Sequence, residues 1–180
     1  MPSPLALTRI ALHRAERARV LRESGVEPVF YVTELVRGGR GGGSGAGAGR
    51  ELHRALWGLD PFDVVNAEVW AGPLPLAWRF RFGWVYGVCD LAVFERGRLV
   101  RVLEVKSYGA VKRAERAQAA LYGLLAMLNF LAKPEVAVLT PSGEVSVADW
   151  ERLALDALVP EPPANASNAS NASKCWVSKC

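Results

Sequence analysis

The apolar positions divide the chain into a helical front, a strand-rich middle and a helical return. Over residues 5–23 the apolar side chains Leu5, Ile10, Leu12, Val20 and Leu21 recur among arginines, which predicts a helix that Gly25 can end. Residues 30–37 begin apolar and read as a short helix entered through Thr33. Residues 51–59 read as another, carrying His53. From Val64 onward the period falls to two. Residues 68–71, 76–84, 85–94 and 99–106 predict strands, with Gly72-Pro73, Gly83 and Arg96-Gly97 at breaks or turns. Residues 110–131 then give the clearest helix, with Ala114, Ala117, Leu121, Leu124, Leu125, Leu128 and Leu131 at helical spacing and Pro134 to stop it. A strand over 135–139, a turn at Pro141-Ser142-Gly143 and a helix over 147–158 complete the pattern.

Two stretches carry no period at all. Residues 38–50 read GGRGGGSGAGAGR, eight glycines with only small residues and arginine between them, which predicts a flexible loop. No Gly-Lys-Ser/Thr ending follows, so a nucleotide-phosphate loop is not indicated. Beyond Pro160, three Asn-Ala-Ser repeats form a tail that cannot build a core. The chain is therefore expected to be a single domain over residues 1–160, interrupted by the glycine loop, with a disordered tail over 161–180.

Composition adds limits rather than direction. With 180 residues, 51% of them hydrophobic, the chain can bury a sizeable core. Twenty-two basic against 18 acidic residues give a formal charge of +4, compatible with nucleic acid without demanding it. Arg9, His13 and Arg14 interrupt any apolar leader, and the apolar stretch over 119–132 is too short for a bilayer. A cytoplasmic protein with no membrane partner is expected. Three cysteines are too few for a disulfide scaffold.

The chemistry concentrates between residues 87 and 122. Asp90 lies in a strand apolar on both faces, where a carboxylate is costly unless something pairs with it. Glu104 and Lys106 lie two apart on the next strand, so both point to one face and Val105 to the other. A three-residue hairpin loop over 96–98 would set Asp90 opposite Glu104 on that face; a two-residue loop would turn it away. Two carboxylates and the Val105 carbonyl suit a hard cation, Mg²⁺ or Mn²⁺, with Lys106 near an attacking water or a phosphate. Gln118 and Tyr122 follow one helical turn apart, and Lys112, Arg113 and Arg116 give the same helix a basic edge suited to phosphates.

Gly87-Val-Cys-Asp90, Glu104-Val-Lys106 and Gln118-Ala-Ala-Leu-Tyr122 resemble the G-x-x-D, E-x-K and Q-x-x-x-Y motifs of RecB-like nucleases in the PD-(D/E)XK superfamily. His53 resembles the upstream helical histidine that supplies a further metal ligand in that branch. The resemblance implies an α/β, restriction-endonuclease-like core with a central mixed β-sheet flanked by helices. It implies a catalytic set of Asp90, Glu104, Lys106, Gln118 and Tyr122, with His53, Asp90, Glu104 and Val105 holding the metal. Within the branch the chain looks most like the fourth family of CRISPR-associated proteins. That resemblance implies a single-stranded DNA exonuclease in spacer acquisition, partnered with the spacer-integration complex and often carrying an iron–sulfur cluster.

Here the chain departs from the pattern. Gly38 and Gly39 stand where that family usually has a cysteine, and the tail offers only Cys175 and Cys180. By alternation Cys89 points away from the Asp90 face as a small buried residue. An ordinary cluster needs four thiolates, so a complete iron–sulfur site is not expected. Two other readings stand beside this one: a RecB-like repair or viral nuclease unrelated to CRISPR, and a nucleic-acid-binding module that has lost activity.

Overall fold

The computed structural model describes residues 2–36 and 59–159. Ser3 opens the first helix by accepting the Ala6 N–H at 3.3 Å, and Pro4 follows where its missing N–H costs nothing. Helix α1 (Pro4–Ser24) ends at Gly25, left-handed at φ 67°. Its buried face matches the stripe of larger apolar residues only in part: Leu12 and Leu21 pack against the core as half-buried side chains. Ile10 and Val20 are 43% and 48% exposed, and the core face is Thr8, Ala11, Ala15 and Ala18. Small residues let the helix approach the sheet closely, and its arginines fasten it. The Arg14 guanidinium lies 4.2 Å from the Trp78 ring centre and Arg22 4.7 Å from that of Tyr31, contacts worth about 0.5–2 kcal/mol each.

Residues 30–37 also depart from expectation. Val29–Tyr31 is a strand, β1, and the helix α2 is only Val32–Val36. Three β-favouring residues are too short a run for alternation to reveal. Helix α3 (Pro61–Asn66) is capped by Asp60, whose carboxylate accepts the Phe62 N–H at 2.8 Å. Strands β2 (Val69–Phe80), β3 (Gly83–Glu95) and β4 (Arg98–Val105) follow. Strand β2 runs through the expected break at Gly72-Pro73. Pro73 and Pro75 are tolerated because, among the described residues, β2 pairs with β3 alone and has no strand on its other edge. Helix α4 (Arg113–Phe130), strands β5 (Glu135–Thr140) and β6 (Gly143–Ser146), and helix α5 (Trp150–Leu158) complete the order.

The result is α/β: six strands in one mixed sheet flanked by helices, consistent with a restriction-endonuclease-like core. Strand β2 occupies one edge of β3 along its whole length, so β1 and β4 share the other edge. β1 runs parallel to β3 at residues 84–86, and β4 antiparallel at 91–95. Beyond β4 lie β5, parallel, and β6, antiparallel. Residues 87–90 of β3 therefore lie in a fork, paired with neither β1 nor β4.

Helix α4 covers one face, burying Leu121, Leu124, Leu125 and Phe130 against Leu74, Leu76, Phe94 and Val102. A second cluster, Ala15, Ala18, Val29, Ala77, Trp84 and Tyr86, joins α1 to the sheet. Buried Asn129 links three elements: its amide donates to Ala77 O at 3.1 Å and Leu125 O at 2.8 Å, and its carbonyl accepts from Arg14 at 3.1 Å. Gly123 sets how closely α4 lies on β5 and α5. A Cβ there would stand 2.6 Å from Val136 Cγ2 and 3.2 Å from Trp150 Cε3.

Mid-helix Gly→Ala ordinarily stabilises by about 0.5–1 kcal/mol. At Gly123 overpacking against a stiff valine, at about 1–3 kcal/mol, outweighs that gain. Gly123→Ala should therefore lower the denaturation midpoint, read by circular dichroism; an increase would mean that α4 and β5 separate freely.

Candidate active site

Two one-residue irregularities decide where the acidic side chains stand. The β3–β4 turn has two residues, since Glu95 pairs with Arg98 and Phe94 with Leu99. On that count alone Asp90 would face away from Glu104. The next pair is Val93 with Arg101, so Val100 is an extra residue in β4 and the register moves back by one. Leu91 then pairs with Leu103, which sets Asp90 across from Glu104. On the other side of β3, Gly72 pairs with Ala92 but Leu74 with Cys89, which places a second irregularity at Asp90 and Leu91. It breaks the alternation of β3. Val85 and Cys89 lie in the α4-side core before it, Ala92 and Phe94 after it. Cys89 is fully buried, as expected of a small apolar residue, but in the same core that Glu104 borders rather than on the opposite face.

Asp90 Oδ2 accepts the Val105 N–H at 2.8 Å, tying the carboxylate to the end of β4. Glu104 is 2% exposed. One of its oxygens, Oε1, accepts from Lys106 Nζ at 2.7 Å; the other, Oε2, has no hydrogen-bond partner. Burial first, then the Asp90 charge and a hydrogen bond that the protonated form shares with Asp90, push the Glu104 carboxyl up to about 8 against the pull of Lys106. Lys106 Nζ also donates to Gln118 Oε1 at 3.3 Å, and Gln118 in turn bonds the Tyr122 hydroxyl. Burial first, then the nearby Glu104 charge, holds the Tyr122 phenol well above its ordinary value. Gly87 is what lets Tyr122 stand there: a Cβ would fall 2.8 Å from Tyr122 Cε1 and 3.1 Å from Val32 Cγ2.

Five of the expected residues are thus brought together: Asp90, Glu104, Lys106, Gln118 and Tyr122. The basic edge is not part of this group. Lys112 and Arg113 are exposed at the head of α4, and Arg116 acts on Asp149 beside α5. Two residues from Gln118, Arg116 occupies the opposite flank of the helix. His53, the glycine run, Cys175 and Cys180 lie outside the described residues. Among the described residues no group of three His, Cys, Asp or Glu side chains could hold an ion by itself. Any cation here would rest on two carboxylates, the Val105 carbonyl and further oxygens. Tyr108 and Glu115, in and after the loop that follows Lys106, form a hydrogen-bonded pair at 2.8 Å that no spacing in the sequence marks.

A shallow hollow of about 950 Å³ lies at the other end of β3 and β4, lined by Glu95, Arg96, Arg98, Arg101 and Glu135 among others. Its charges largely neutralise one another through Arg96–Glu68 and Arg101–Glu135 pairs. The buried and half-buried acidic and basic groups are gathered at the fork instead.

No family model and no curated protein matches this chain. Among solved structures, "Crystal structure of SSO0001" is similar over 84% of this chain and 86% of that one, at 18% identity and a TM-score of 0.36. That likeness is too slight to carry an argument. No helix among the described residues is long and apolar enough to cross a membrane.

The raised Glu104 carboxyl makes metal-free stability depend on pH. The folded state keeps a proton that the unfolded chain releases near its ordinary value of 4.5, so stability falls as pH rises from there through about 8. Thermal melts in chelator should drop by several degrees between about pH 5 and about pH 9. Glu104→Gln should abolish this slope, whereas Asp90→Asn, which removes the smaller cause, should only reduce it. Equal slopes in all three proteins would contradict the assignment.

Proposed function

We propose that this chain is a metal-dependent nuclease that hydrolyses DNA phosphodiester bonds. The observation that carries this reading is Glu104: a buried carboxyl whose Oε2 receives no donor among the described residues and which shares a proton-dependent hydrogen bond with a second carboxyl, Asp90, beside a single lysine. A buried ion pair that served only structure would satisfy both oxygens. Two carboxyls held this close, one of them kept protonated near neutral pH, fit a hard divalent cation that would replace the shared proton, Mg²⁺ or Mn²⁺. Asp90, Glu104 and the Val105 carbonyl would hold it, with His53 a further candidate on the motif resemblance. When bound, such an ion lowers the pKa of a water and offsets charge gathering on the phosphate.

The remaining residues position and stabilise. Lys106 has three donors as an ammonium; one meets Glu104 and one Gln118, which leaves the third for a phosphate oxygen or the attacking water. Gln118 fixes the direction of that third donor, and Tyr122 fixes Gln118. In hydrolysis the water oxygen bonds to phosphorus, the bond to the leaving sugar oxygen breaks, and the water's proton leaves with the products. Lys106 would steady the negative charge that builds on the phosphate oxygens. Single-stranded DNA as substrate, exonucleolytic cleavage and a place in CRISPR spacer acquisition rest on the motif resemblance and belong to the same proposal.

End-labelled single-stranded DNA should be degraded with Mn²⁺ and left intact in chelator. Glu104→Ala and Asp90→Ala should each reduce cleavage by about a thousandfold or more while the far-ultraviolet spectrum is kept. Cleavage that survives either substitution would sink the site. DNA binding without cleavage under any divalent ion would favour the inactive module.

A further inference from the structure

The loop leaving the site presents an aromatic ring in a fixed position. Lys106 is anchored by its own N–H, which donates to Leu139 O at 2.9 Å. Three residues on, Gly109 lies so close to the β5–β6 turn that a Cβ would stand 2.6 Å from Ser142 Oγ. Glu115 then takes two bonds from the loop, accepting the Lys112 N–H at 2.7 Å and the Tyr108 hydroxyl at 2.8 Å. The loop is thus tied down at both ends and in the middle. Tyr108 is nevertheless 45% exposed, an unusual state for a ring whose hydroxyl is already bound. It is two residues from Lys106, and its hydroxyl lies within electrostatic range of both Lys106 and Glu104.

We infer that Tyr108 is a stacking surface for an unpaired nucleobase next to the scissile phosphate, making it a specificity determinant for single-stranded DNA. The inference rests on the nuclease reading for its substrate. A ring pinned at its hydroxyl loses little freedom when a base settles on it. Base–aromatic stacking works with any base, because every base offers a flat face. In a duplex those faces are covered by neighbouring bases, so the same ring favours single strands. Tyr108 touches the base and Lys106 the phosphate, so one nucleotide is gripped at both ends. Glu115 acts on the base through Tyr108, as a positioning residue, while its other oxygen caps α4 at the Lys112 N–H.

The test is binding of the full-length, metal-free chain to two fluorescent strands of about twelve nucleotides. One is oligothymidine, and the other has the same backbone with its bases removed. Tyr108→Ala should weaken binding to oligothymidine by about tenfold and to the abasic strand by less than about twofold. Tyr108→Phe, which keeps the ring, should stay within about threefold of the parent on both strands. Equal losses on the two strands, or no loss on either, overturn the inference. Should Tyr108→Ala prove unfolded by circular dichroism, the parent protein decides: equal affinity for both strands rejects base stacking. Mn²⁺-dependent cleavage measured in parallel separates the two readings. Cleavage without base-dependent loss defeats the stacking role alone, and base-dependent loss without cleavage defeats the nuclease reading alone.

Discussion

Two carboxylates and one lysine share the α4-side face of the sheet, and Glu104 is 2% exposed among them. Removing a carboxylate from water costs several kcal/mol, and a second negative charge close by adds to the cost. Lys106 offsets part of it through one oxygen only. The protein supports this arrangement by spending stability made elsewhere. Leu121 and Leu125 pack against Leu74, Leu76 and Phe94, Asn129 joins α1, β2 and α4, and Gly123 lets α4 settle on β5. Gly87 serves the site directly. Its missing side chain is the space Tyr122 occupies, and Tyr122 holds the Gln118 that steers Lys106.

Location follows from topology. Strands β1 and β4 approach β3 from the same side but stop short of each other, leaving residues 87–90 without a neighbour on that edge. Backbone at such a fork has donors and acceptors on that edge that neither β1 nor β4 uses. Asp90 answers part of that demand by taking the Val105 N–H, which also fixes its carboxylate beside Glu104. Open α/β sheets tend to place ligands where neighbouring strands part in this way. Lys106 marks the point where β4 gives way to the loop carrying Tyr108, so the strand end delivers both the charged group and the exposed ring.

The sequence made some of this legible and hid the rest for identifiable reasons. Glu104 and Lys106 could be placed on one face from the period of a strand alone, and Gln118 and Tyr122 from the turn of a helix. Whether Asp90 joined them depended on register, which alternation does not fix. The two-residue turn at Arg96-Gly97 points Asp90 the wrong way, and the extra Val100 restores it. Val100 has no sequence signature, since it is as apolar as Leu99 and Val102; the irregularity at Asp90 and Leu91 lies opposite Pro73, whose Gly72-Pro73 signal reads as a break in β2 rather than a shift in β3. Cys89 shows the cost: counting by twos sends it to the wrong face. In α1, size misled in the same manner. Of the expected stripe Leu12 and Leu21 do pack against the core but Ile10 and Val20 do not, and alanines make the closest contact because close approach needs small side chains. Strands β1 and β6, three and four residues long, are too short to show a period at all.

An inactive scaffold would be under no physical need to keep this set of charges. Replacing a buried ion pair by apolar residues of similar volume is often neutral or stabilising, and here a third charged group and an unpartnered oxygen make the exchange still more favourable. The neighbouring Val102, Val136 and Val138 show that the same sheet buries apolar residues without difficulty. Glu104 therefore stands where a valine would serve folding better. The carboxylate gains a purpose if a cation meets Oε2 and Asp90 together, because the added charge cancels the like-charge repulsion as well as the desolvation cost. On the proposed function, the misfit of Glu104 in the metal-free fold would be the physical source of the site's affinity for an ion. The packing around α4 is what allows the fold to tolerate it.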